Sequence, residues 1–269
     1  MDHHLKDFYR QFSDDVPCGN FHSVISLHKS SDLSWKTIKE KVPDLCRGWF
    51  ELSHLSTRDR IEFSRDFWLA KLPYRQGLDE SVNRFFASLD DIGIFLVQKK
   101  FDDPYESHLV YSLKDDGGYF KGALPAQETN LQDLQKSFSG NILPNDYCAF
   151  LQIHNGFSKA TDCTGIIASD KVPESYAVLQ SLMQQHGPVI TSRDKAVDPK
   201  TLIPFYKSFG MPFYQCFWSE WYPDQEMGNV YYSGDSQTIS DVFSGVSGSE
   251  MMAFPTFTDW LMFYLERVE

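Results

Sequence analysis

The chain has 269 residues and a net charge of −12, with 42% hydrophobic and 15% aromatic residues. This composition supplies enough apolar side chains for a sizeable core and excludes a disordered chain. The length fits either one large domain or two smaller ones.

The negative charge is distributed unevenly. Residues 1–124 carry 17 Lys and Arg against 20 Asp and Glu, whereas residues 125–269 carry 8 against 17. Between Ser208 and Glu266 there are eight carboxylates and no lysine or arginine. Such a surface repels nucleic acid and anionic lipid and attracts a basic protein. Solubility alone would account for the same excess, so the charge leaves both interpretations open.

The cysteine pattern and the N-terminal sequence indicate the cellular compartment of the protein. The five cysteines are odd in number, scattered and never spaced as C-x-x-C, which predicts neither a disulfide framework nor a zinc ribbon; they are Cys18, Cys46, Cys148, Cys163 and Cys216. The opening "MDHHLKDFYRQF" has no apolar signal-peptide core, and the run "IGIFLV" is far too short to span a membrane. We expect a soluble cytoplasmic protein.

The first half of the chain predicts helices followed by a hairpin. Helical spacing is weak over Trp35–Lys41 and clear in "STRDRIEFSRDFWLAKL" and "LDESVNRFFASLDD". The predicted buried stripe is Ile61, Phe63, Phe67, Trp68 and Leu72 on the first of these clear helices, and Val82, Phe85, Phe86 and Leu89 on the second. "IGIFLVQKK" and "SHLVYSL" are typical of paired strands. The turn-rich "KDDGGYFKGALP" suggests a boundary between a domain of residues 1–124 and one of residues 125–269.

The second half contains a tightly punctuated motif, "NILPNDYCAFLQIHNGF", preceded by a short predicted helix from Leu131 to Phe138. Pro144 suits the first position of a ten-residue helix, and Asn155-Gly156 supplies a residue that can take a positive φ at its end. One face of that helix would bury Tyr147, Phe150, Leu151 and His154.

Short strands broken by turns are predicted downstream, including "LIPFYKSFG", "PFYQCFW" and "NVYYSG". Residues 244–249, "SGVSGS", suggest a flexible loop. A last helix would begin after Thr256 as N-cap, with a buried stripe of Phe257, Trp260, Leu261, Tyr264 and Val268.

The order of these motifs resembles the SUKH superfamily, which includes a fungal cell-wall synthesis regulator and many bacterial immunity proteins. The resemblance covers about residues 125–269 and rests on Leu143, Pro144, Tyr147, Asn155, Gly156, Phe254, Phe257 and Trp260. It implies an α+β fold with a mostly antiparallel sheet packed by helices, preceded here by an N-terminal α+β extension. It also implies protein binding rather than catalysis, either of toxins or within regulatory scaffolds.

No catalytic or metal-binding pattern accompanies this resemblance. The sequence has no H-x-x-x-H, H-E-x-x-H, G-x-S-x-G or phosphate-binding loop. Cys148 and His154 are six residues apart and point to different faces of the predicted helix, which argues against a Cys–His pair. Paired aspartates such as Asp115-Asp116 are typical of solvated turns. We expect no enzyme activity, no cofactor and no metal.

The candidate partner-binding residues lie in "WSEWYPDQEMGN" and are Trp218, Glu220, Trp221, Tyr222, Asp224 and Glu226. Aromatic side chains would supply contact area, and the acidic rim would select a basic surface. Alternatively, Trp218 and Trp221 are core residues at a sheet edge, and the acids only solubilise a turn.

Three functions remain open. The first is a protein-binding module, possibly of the immunity type, that neutralises a basic partner or toxin through an acidic aromatic face. The second is a regulatory scaffold whose two halves bind different partners. The third is a small-ligand or glycan binder that stacks sugars on its aromatic rings. The sequence predicts no nucleic-acid or membrane partner and leaves the oligomeric state unknown.

Overall fold

The computed structural model describes residues 1, 3–11, 19–30, 32–162, 164–191, 193–208, 213–240 and 252–266. The chain forms two compact units. Unit 1 comprises Met1–Ala70 and Val82–Leu124, and unit 2 comprises Lys71–Ser81 and Pro125–Glu269. We call Lys71–Ser81 the linking segment. A boundary between independently folding domains at residue 124 remains a prediction.

Unit 1 is a four-stranded antiparallel sheet with helices, in the order β1-β2-β3-β4. Its strands are β1 (Ser23–Ser26), β2 (Leu89–Gln98), β3 (Glu106–Leu113) and β4 (Tyr119–Gly122). Its helices are α1 (His3–Phe8), α2 (Trp35–Lys41), α3 (Arg47–Ser53), α4 (Thr57–Lys71) and α5 (Leu78–Ala87). The last residue of α4 and the first turn of α5 belong to the linking segment.

The predicted hairpin is confirmed as β2 and β3, which pair from Leu89↔Leu113 to Val97↔Glu106. The stretch read only as a turn-rich boundary is part turn and part strand. Asp115 and Asp116 take φ values of 57° and 52°, and the chain then returns as β4 beside β3. The aspartates therefore have a local backbone role, since Asp tolerates the left-handed region.

Helix α4 was predicted correctly, and Trp68 and Leu72 of its predicted stripe are buried, but the rest of the stripe was wrong. Phe63 and Phe67 are 55% and 37% exposed, and the buried line runs through Arg60, Ser64 and Trp68. The Arg60 guanidinium donates to the carbonyls of Leu55 and Ile92, both at 2.6 Å. It also forms an ion pair with Asp91 at 2.6 Å. A fully satisfied arginine thus occupies the place expected of an apolar side chain, which hydropathy cannot anticipate.

Helix α5 buries the first three residues of its predicted stripe against the same core, whereas the fourth, Leu89, lies in β2. Phe85 and Phe86 are 3% and 2% exposed and lie beside the Trp68 ring at 5.8 and 5.6 Å. Trp68 in turn donates from its indole nitrogen to the Tyr111 hydroxyl at 3.1 Å. An aromatic cluster therefore joins α4, α5 and β3 in unit 1.

The strands of unit 2 pair in the order β5-β6-β9-β10-β11-β12-β7-β8, with β13 beside β11. Its strands are β5 (Phe157–Lys159), β6 (Gly165–Ile166), β7 (Val189–Thr191), β8 (Ala196–Val197), β9 (Leu202–Lys207), β10 (Phe213–Trp218), β11 (Asn229–Ser233), β12 (Thr238–Ile239) and β13 (Ala253–Phe254). Its helices are α6 (Glu128–Ser137), α7 (Asn145–Leu151), α8 (Val172–His186) and α9 (Phe257–Leu265). The pairing of β12 with β7 is parallel, and the other described pairs are antiparallel. The predicted α+β fold with a mostly antiparallel sheet is confirmed.

Helix α8 is missing from the sequence prediction, which placed only short strands and turns in this region. Its 15 residues bury Val172, Leu179 and Met183, and proline occupies its first turn. Proline is tolerated there because the first N–H groups of a helix have no intrahelical acceptor. Its buried residues recur at helical spacing, so the pattern was present in the sequence but was overlooked.

Helix α7 is shorter than predicted. It has seven residues and ends at Leu151, with Pro144 as its N-cap instead of its first helical residue. The N–H groups of Ile153 and His154 still donate to the Phe150 carbonyl at 2.8 and 2.9 Å, so a turn extends the helix. Gly156 takes the predicted positive φ, at 110°, and turns the chain into β5. The Asn155 side chain accepts from the Ser169 N–H at 2.7 Å.

The signature aromatics form the core of unit 2. Tyr147 of α7 lies 5.0 Å from Phe217 and 5.3 Å from Phe257, and Trp260 of α9 lies 4.9 Å from Phe205. Thr256 caps α9 as predicted, and Phe257, Trp260, Leu261 and Tyr264 are buried. Val268 and residues 244–249 lie outside the described residues.

Tyr147 provides a test of this core. Its ring is 1% exposed, and its buried hydroxyl has no hydrogen-bond partner among the described residues. An unsatisfied buried hydroxyl is unfavourable, so we expect Tyr147→Phe to leave the free energy of unfolding unchanged or raise it by up to about 1 kcal/mol. Tyr147→Ala should lower it by roughly 3–5 kcal/mol. Urea unfolding followed by circular dichroism measures both, and a loss above about 1 kcal/mol in Tyr147→Phe would contradict this account.

Candidate functional site

The loop between β10 and β11, which we call the acidic loop (residues 219–228), contains all of the predicted partner-binding residues except Trp218, which ends β10. The loop has a defined backbone. The N–H of Trp221 donates to the Trp218 carbonyl, and that of Gly228 donates to the Trp221 carbonyl, both at 2.9 Å. Gln225 takes a φ of 63°, which makes the tight turn at the tip.

The two tryptophans face the protein. Trp218 and Trp221 are partly buried and pack against a core cluster that includes Leu179, Tyr214 and Tyr232. A Cβ on Gly228 would lie 2.4 Å from the Trp221 ring, so only glycine lets the ring approach the backbone this closely. This packing fits the interpretation of Trp218 and Trp221 as core residues at a sheet edge. Their part in partner binding remains a prediction.

The other loop residues divide into exposed and internally engaged groups. Glu220 and Tyr222 are exposed, Tyr222 by 50%. Asp224 is also exposed but forms an ion pair with Arg75 of the linking segment. Glu226 is half-buried, and the following Met227 is fully buried.

Arg75 joins the acidic loop to the last helix. Its Nε and Nη2 donate to the two carboxylate oxygens of Asp259 at 2.9 and 2.7 Å, and its Nη1 reaches Asp224. The hydrogen bonds to Asp259 and then Asp224 raise the pKa of Arg75, so it stays charged. We call Arg75, Asp224 and Asp259 the Arg75 cluster. Sequence reasoning missed Arg75, because nothing in the local pattern pairs it with residues 149 and 184 positions away.

Asp259 is also held in place by hydrogen bonds with the N-cap residue of its own helix. It lies in the first turn of α9, where its N–H donates to the Thr256 hydroxyl oxygen at 3.1 Å. That hydroxyl donates to the Asp259 carboxylate at 2.9 Å. A carboxylate is stabilised at this end of a helix by the helix dipole.

Asp146 is a second buried acid, 5% exposed, in the first turn of α7. One of its oxygens accepts from the Tyr147 N–H at 2.8 Å. The other accepts from the N–H and the hydroxyl of Thr258 at 2.8 and 2.9 Å. Burial raises the pKa of Asp146, and the hydrogen bonds from Thr258 and Tyr147 oppose that rise. Sequence reasoning passed over this residue, although the motif surrounding it was recognised.

Glu226 of the acidic loop lies close to Asp146. Burial raises the pKa of Glu226, and the nearby Asp146 carboxyl raises it further, while a hydrogen bond from the Asn145 N–H lowers it. A hydrogen bond between two carboxyls requires one of them to hold a proton. Asp146 already accepts three hydrogen bonds from N–H and O–H groups, so Glu226 is the natural donor of the pair.

The structure offers little for nucleophilic or metal chemistry. Burial, followed by the charges of Asp146, Glu226 and Glu128, raises the pKa of Cys148 to about 11, which keeps its thiol protonated. His154 is fully buried. In the described part of the chain, no group of three or more His, Cys, Asp or Glu residues is arranged to hold a metal ion. No helix in that part is both long and apolar enough to cross a membrane.

The carboxyl pair predicts a pH dependence of stability. A carboxyl whose pKa is raised by folding binds its proton more tightly in the folded chain, so its ionisation opposes folding above that pKa. This penalty fades as the pH falls toward the ordinary glutamate value of 4.5. Gln at position 226 keeps the hydrogen bonding without the charge. We expect Glu226→Gln to raise the melting temperature at about pH 7.5 by roughly 1–3 °C, with a smaller gain at about pH 5.

Thermal unfolding across this pH range measures the effect. Glu174→Gln is the matched control, because Glu174 is exposed on α8 and should show no such pH dependence. A lower melting temperature for Glu226→Gln at about pH 7.5 would show that the Glu226 charge stabilises the fold.

Comparison with known proteins agrees with the fold and the motifs. The family model for the SMI1 / KNR4 family (SUKH-1) matches residues 125–262. A search of curated proteins and a search of solved structures each gave no significant match. The matched residues contain α7, the acidic loop and residues 257–262 of α9, including Asp146, Asp224 and Asp259. The chain belongs to the SMI1 / KNR4 family (SUKH-1).

Proposed function

We propose that this protein is a non-enzymatic binding module that recognises a basic protein through its acidic loop. The observation that carries the proposal is the contrast between packed and exposed side chains in and next to that loop. Trp218 and Trp221 pack on the core of unit 2, while Glu220 and Tyr222 remain exposed. A surface whose contact groups are fixed before binding loses less conformational entropy on association.

The family supports protein binding as the activity. SUKH proteins are known for immunity and regulatory roles, bind protein partners such as toxins, and are generally non-catalytic. An immunity-type role, in which this chain neutralises a basic toxin, is the form of the proposal that best fits the acidic loop.

Charge selects the kind of partner. The sequence from Ser208 to Glu266 contributes eight carboxylates and no lysine or arginine. Among the loop acids, Asp224 is paired with Arg75 and Glu226 meets Asp146, whereas no described cation lies within ion-pair distance of Glu220. Glu220 is therefore the acid most available to a lysine or arginine of the partner, with Tyr222 beside it as an aromatic contact.

We propose the cytoplasm as the location of this activity. Cys46, Cys148 and Cys216 are free thiols in the structure, as expected in a reducing compartment.

A regulatory scaffold is the second candidate, and the two compact units favour it. Unit 1 is a compact unit with its own aromatic core, and its surface would supply the second binding site. A truncation at residue 124 would not test this cleanly. It would also remove the linking segment, and with it Arg75, from unit 2. Surface variants of the full chain are therefore the better test.

The acidic loop can be tested with a defined basic probe. We expect Glu220→Lys to weaken binding of a fluorescein-labelled decapeptide of alternating arginine and glycine by roughly three- to tenfold at low salt. Tyr222→Ala should weaken it by about two- to fivefold. Fluorescence anisotropy with the full-length chain measures both. Binding of the wild-type protein should also fall steeply as salt rises, since exposed charges are screened over about 8 Å at physiological ionic strength.

Glu174→Lys is the matched control for Glu220→Lys. It makes the same change in net charge at an exposed site in the first turn of α8, where it removes a 3.8 Å contact with Lys171. Equal losses in the two variants would mean that the peptide senses net charge alone, which would remove the acidic loop as a specific site.

A further inference from the structure

Three exposed aromatic side chains lie within four residues, in sequence, of members of the Arg75 cluster. The large exposed hydrophobic residues of the described chain include six aromatics, Phe63, Phe67, Tyr74, Phe101, Tyr222 and Phe263. Tyr74 adjoins Arg75, Tyr222 lies two residues before Asp224, and Phe263 lies one helical turn after Asp259. Residues three or four apart on a helix share a face, so Phe263 follows Asp259 along the same side of α9.

The linking segment is held firmly at this point. Arg75 makes a bidentate contact with Asp259 and a further hydrogen bond to Asp224, and these contacts restrict its side chain. Two residues later, Gly77 takes a φ of 85°, and a Cβ built there would lie 3.9 Å from the Met262 sulfur. Leu72 and Leu78, on either side, are 5% and 2% exposed. The backbone that carries Tyr74 is thus anchored on both sides.

Tyr74 itself is 86% exposed, the highest value among the large hydrophobic residues described. Core packing does not account for a tyrosine with this exposure on an anchored backbone. A large rigid aromatic fixed in this way can bind a partner at little conformational cost, and tyrosine is enriched at such positions in interfaces.

We propose that the linking segment is part of the partner-binding surface and that Tyr74 contacts the partner directly. The surface comprises Tyr74, Tyr222 and Phe263 around the Arg75 cluster, together with Glu220. Its occupant is a basic, arginine-containing segment of a protein partner. This inference rests on the proposed function and extends it to a region outside the residues that match the family model, 125–262.

Charge complementarity selects this occupant. The linking segment, the exposed end of the acidic loop and the first turn of α9 carry five carboxylates against two cations. These are Asp79, Glu80, Glu220, Asp224 and Asp259 against Lys71 and Arg75. A guanidinium can stack on a tyrosine or phenylalanine ring while it pairs with a neighbouring carboxylate. Arginine is therefore expected to bind this surface better than lysine.

Arg75 acts as a positioning residue in this arrangement. It neutralises part of the charge of Asp224 and Asp259 and holds the acidic loop, α9 and the linking segment in one geometry. Its role is to place Tyr74 and Tyr222 and not to bind the partner, whose arginine it would repel at close range.

The test compares Tyr74→Ala with Tyr74→Phe in the full-length chain, with the same arginine–glycine decapeptide and its lysine–glycine counterpart. We expect Tyr74→Ala to weaken binding of the arginine peptide by about two- to fivefold. Binding of the lysine peptide should weaken less. Tyr74→Phe should bind both peptides as the wild type does, because the ring face is retained. Unchanged thermal unfolding of each variant establishes that the fold is intact.

Phe101→Ala is the control, because Phe101 is 73% exposed in the hairpin of unit 1 and is not part of the proposed surface, which belongs to unit 2. Equal weakening by Phe101→Ala and Tyr74→Ala would show that exposed aromatic residues bind the peptide non-specifically, and this would overturn the inference. Unchanged binding in Tyr74→Ala, with weaker binding in Glu220→Lys, would overturn it while leaving the proposed function in place. Unchanged binding in both variants would remove the proposed function as well.

Discussion

The buried carboxylate of Asp146 is the interaction on which unit 2 depends. It accepts hydrogen bonds from backbone N–H groups in the first turns of α7 and α9, through Tyr147 and Thr258. Such N–H groups have no acceptor within their own helix, so one acid satisfies two helix ends at once. Burying the charge is unfavourable, but three donors and two helix dipoles offset that. With the two ends joined, the aromatic faces of α7 and α9 meet, and Tyr147 lies 5.3 Å from Phe257.

The same region is where the acidic loop and the linking segment converge. Glu226 reaches Asp146, Asp224 reaches Arg75, and Arg75 reaches Asp259 one residue beyond Thr258. The residues that match the family model therefore do not supply all of their own ion pairs. A cation from outside that range completes them. Arg75 thus gives the linking segment a physical means to affect the geometry of the acidic loop, without any change in the loop sequence.

Sequence patterns correctly predicted the elements that depend on residues close together in the chain. The cap at Thr256, the apolar period of α5 and the β-branched and aromatic strands β2 and β3 each depend on neighbours in sequence, and all three were predicted correctly. The wrong predictions concern features that depend on contacts between residues far apart in the chain. The buried side of α4 is set by the acceptors that Arg60 finds at Ile92 and Asp91, some 30 residues away. Hydropathy assigns such an arginine to solvent and the nearby Phe63 to the core, and tertiary contacts reverse both assignments.

The candidate site shows the same division between local and distant causes. Sequence reasoning found the acidic loop from its composition, but composition treats its three acids as equivalent. The fold separates them: Asp224 is neutralised by an arginine from far along the chain, Glu226 faces another carboxyl, and Glu220 is exposed with no described cation within ion-pair distance. A run of like charge in a sequence is therefore not the same as a charged surface. The electrostatic potential that a partner meets depends on which acids the fold has already paired, and here that selection is made by Arg75 and Asp146.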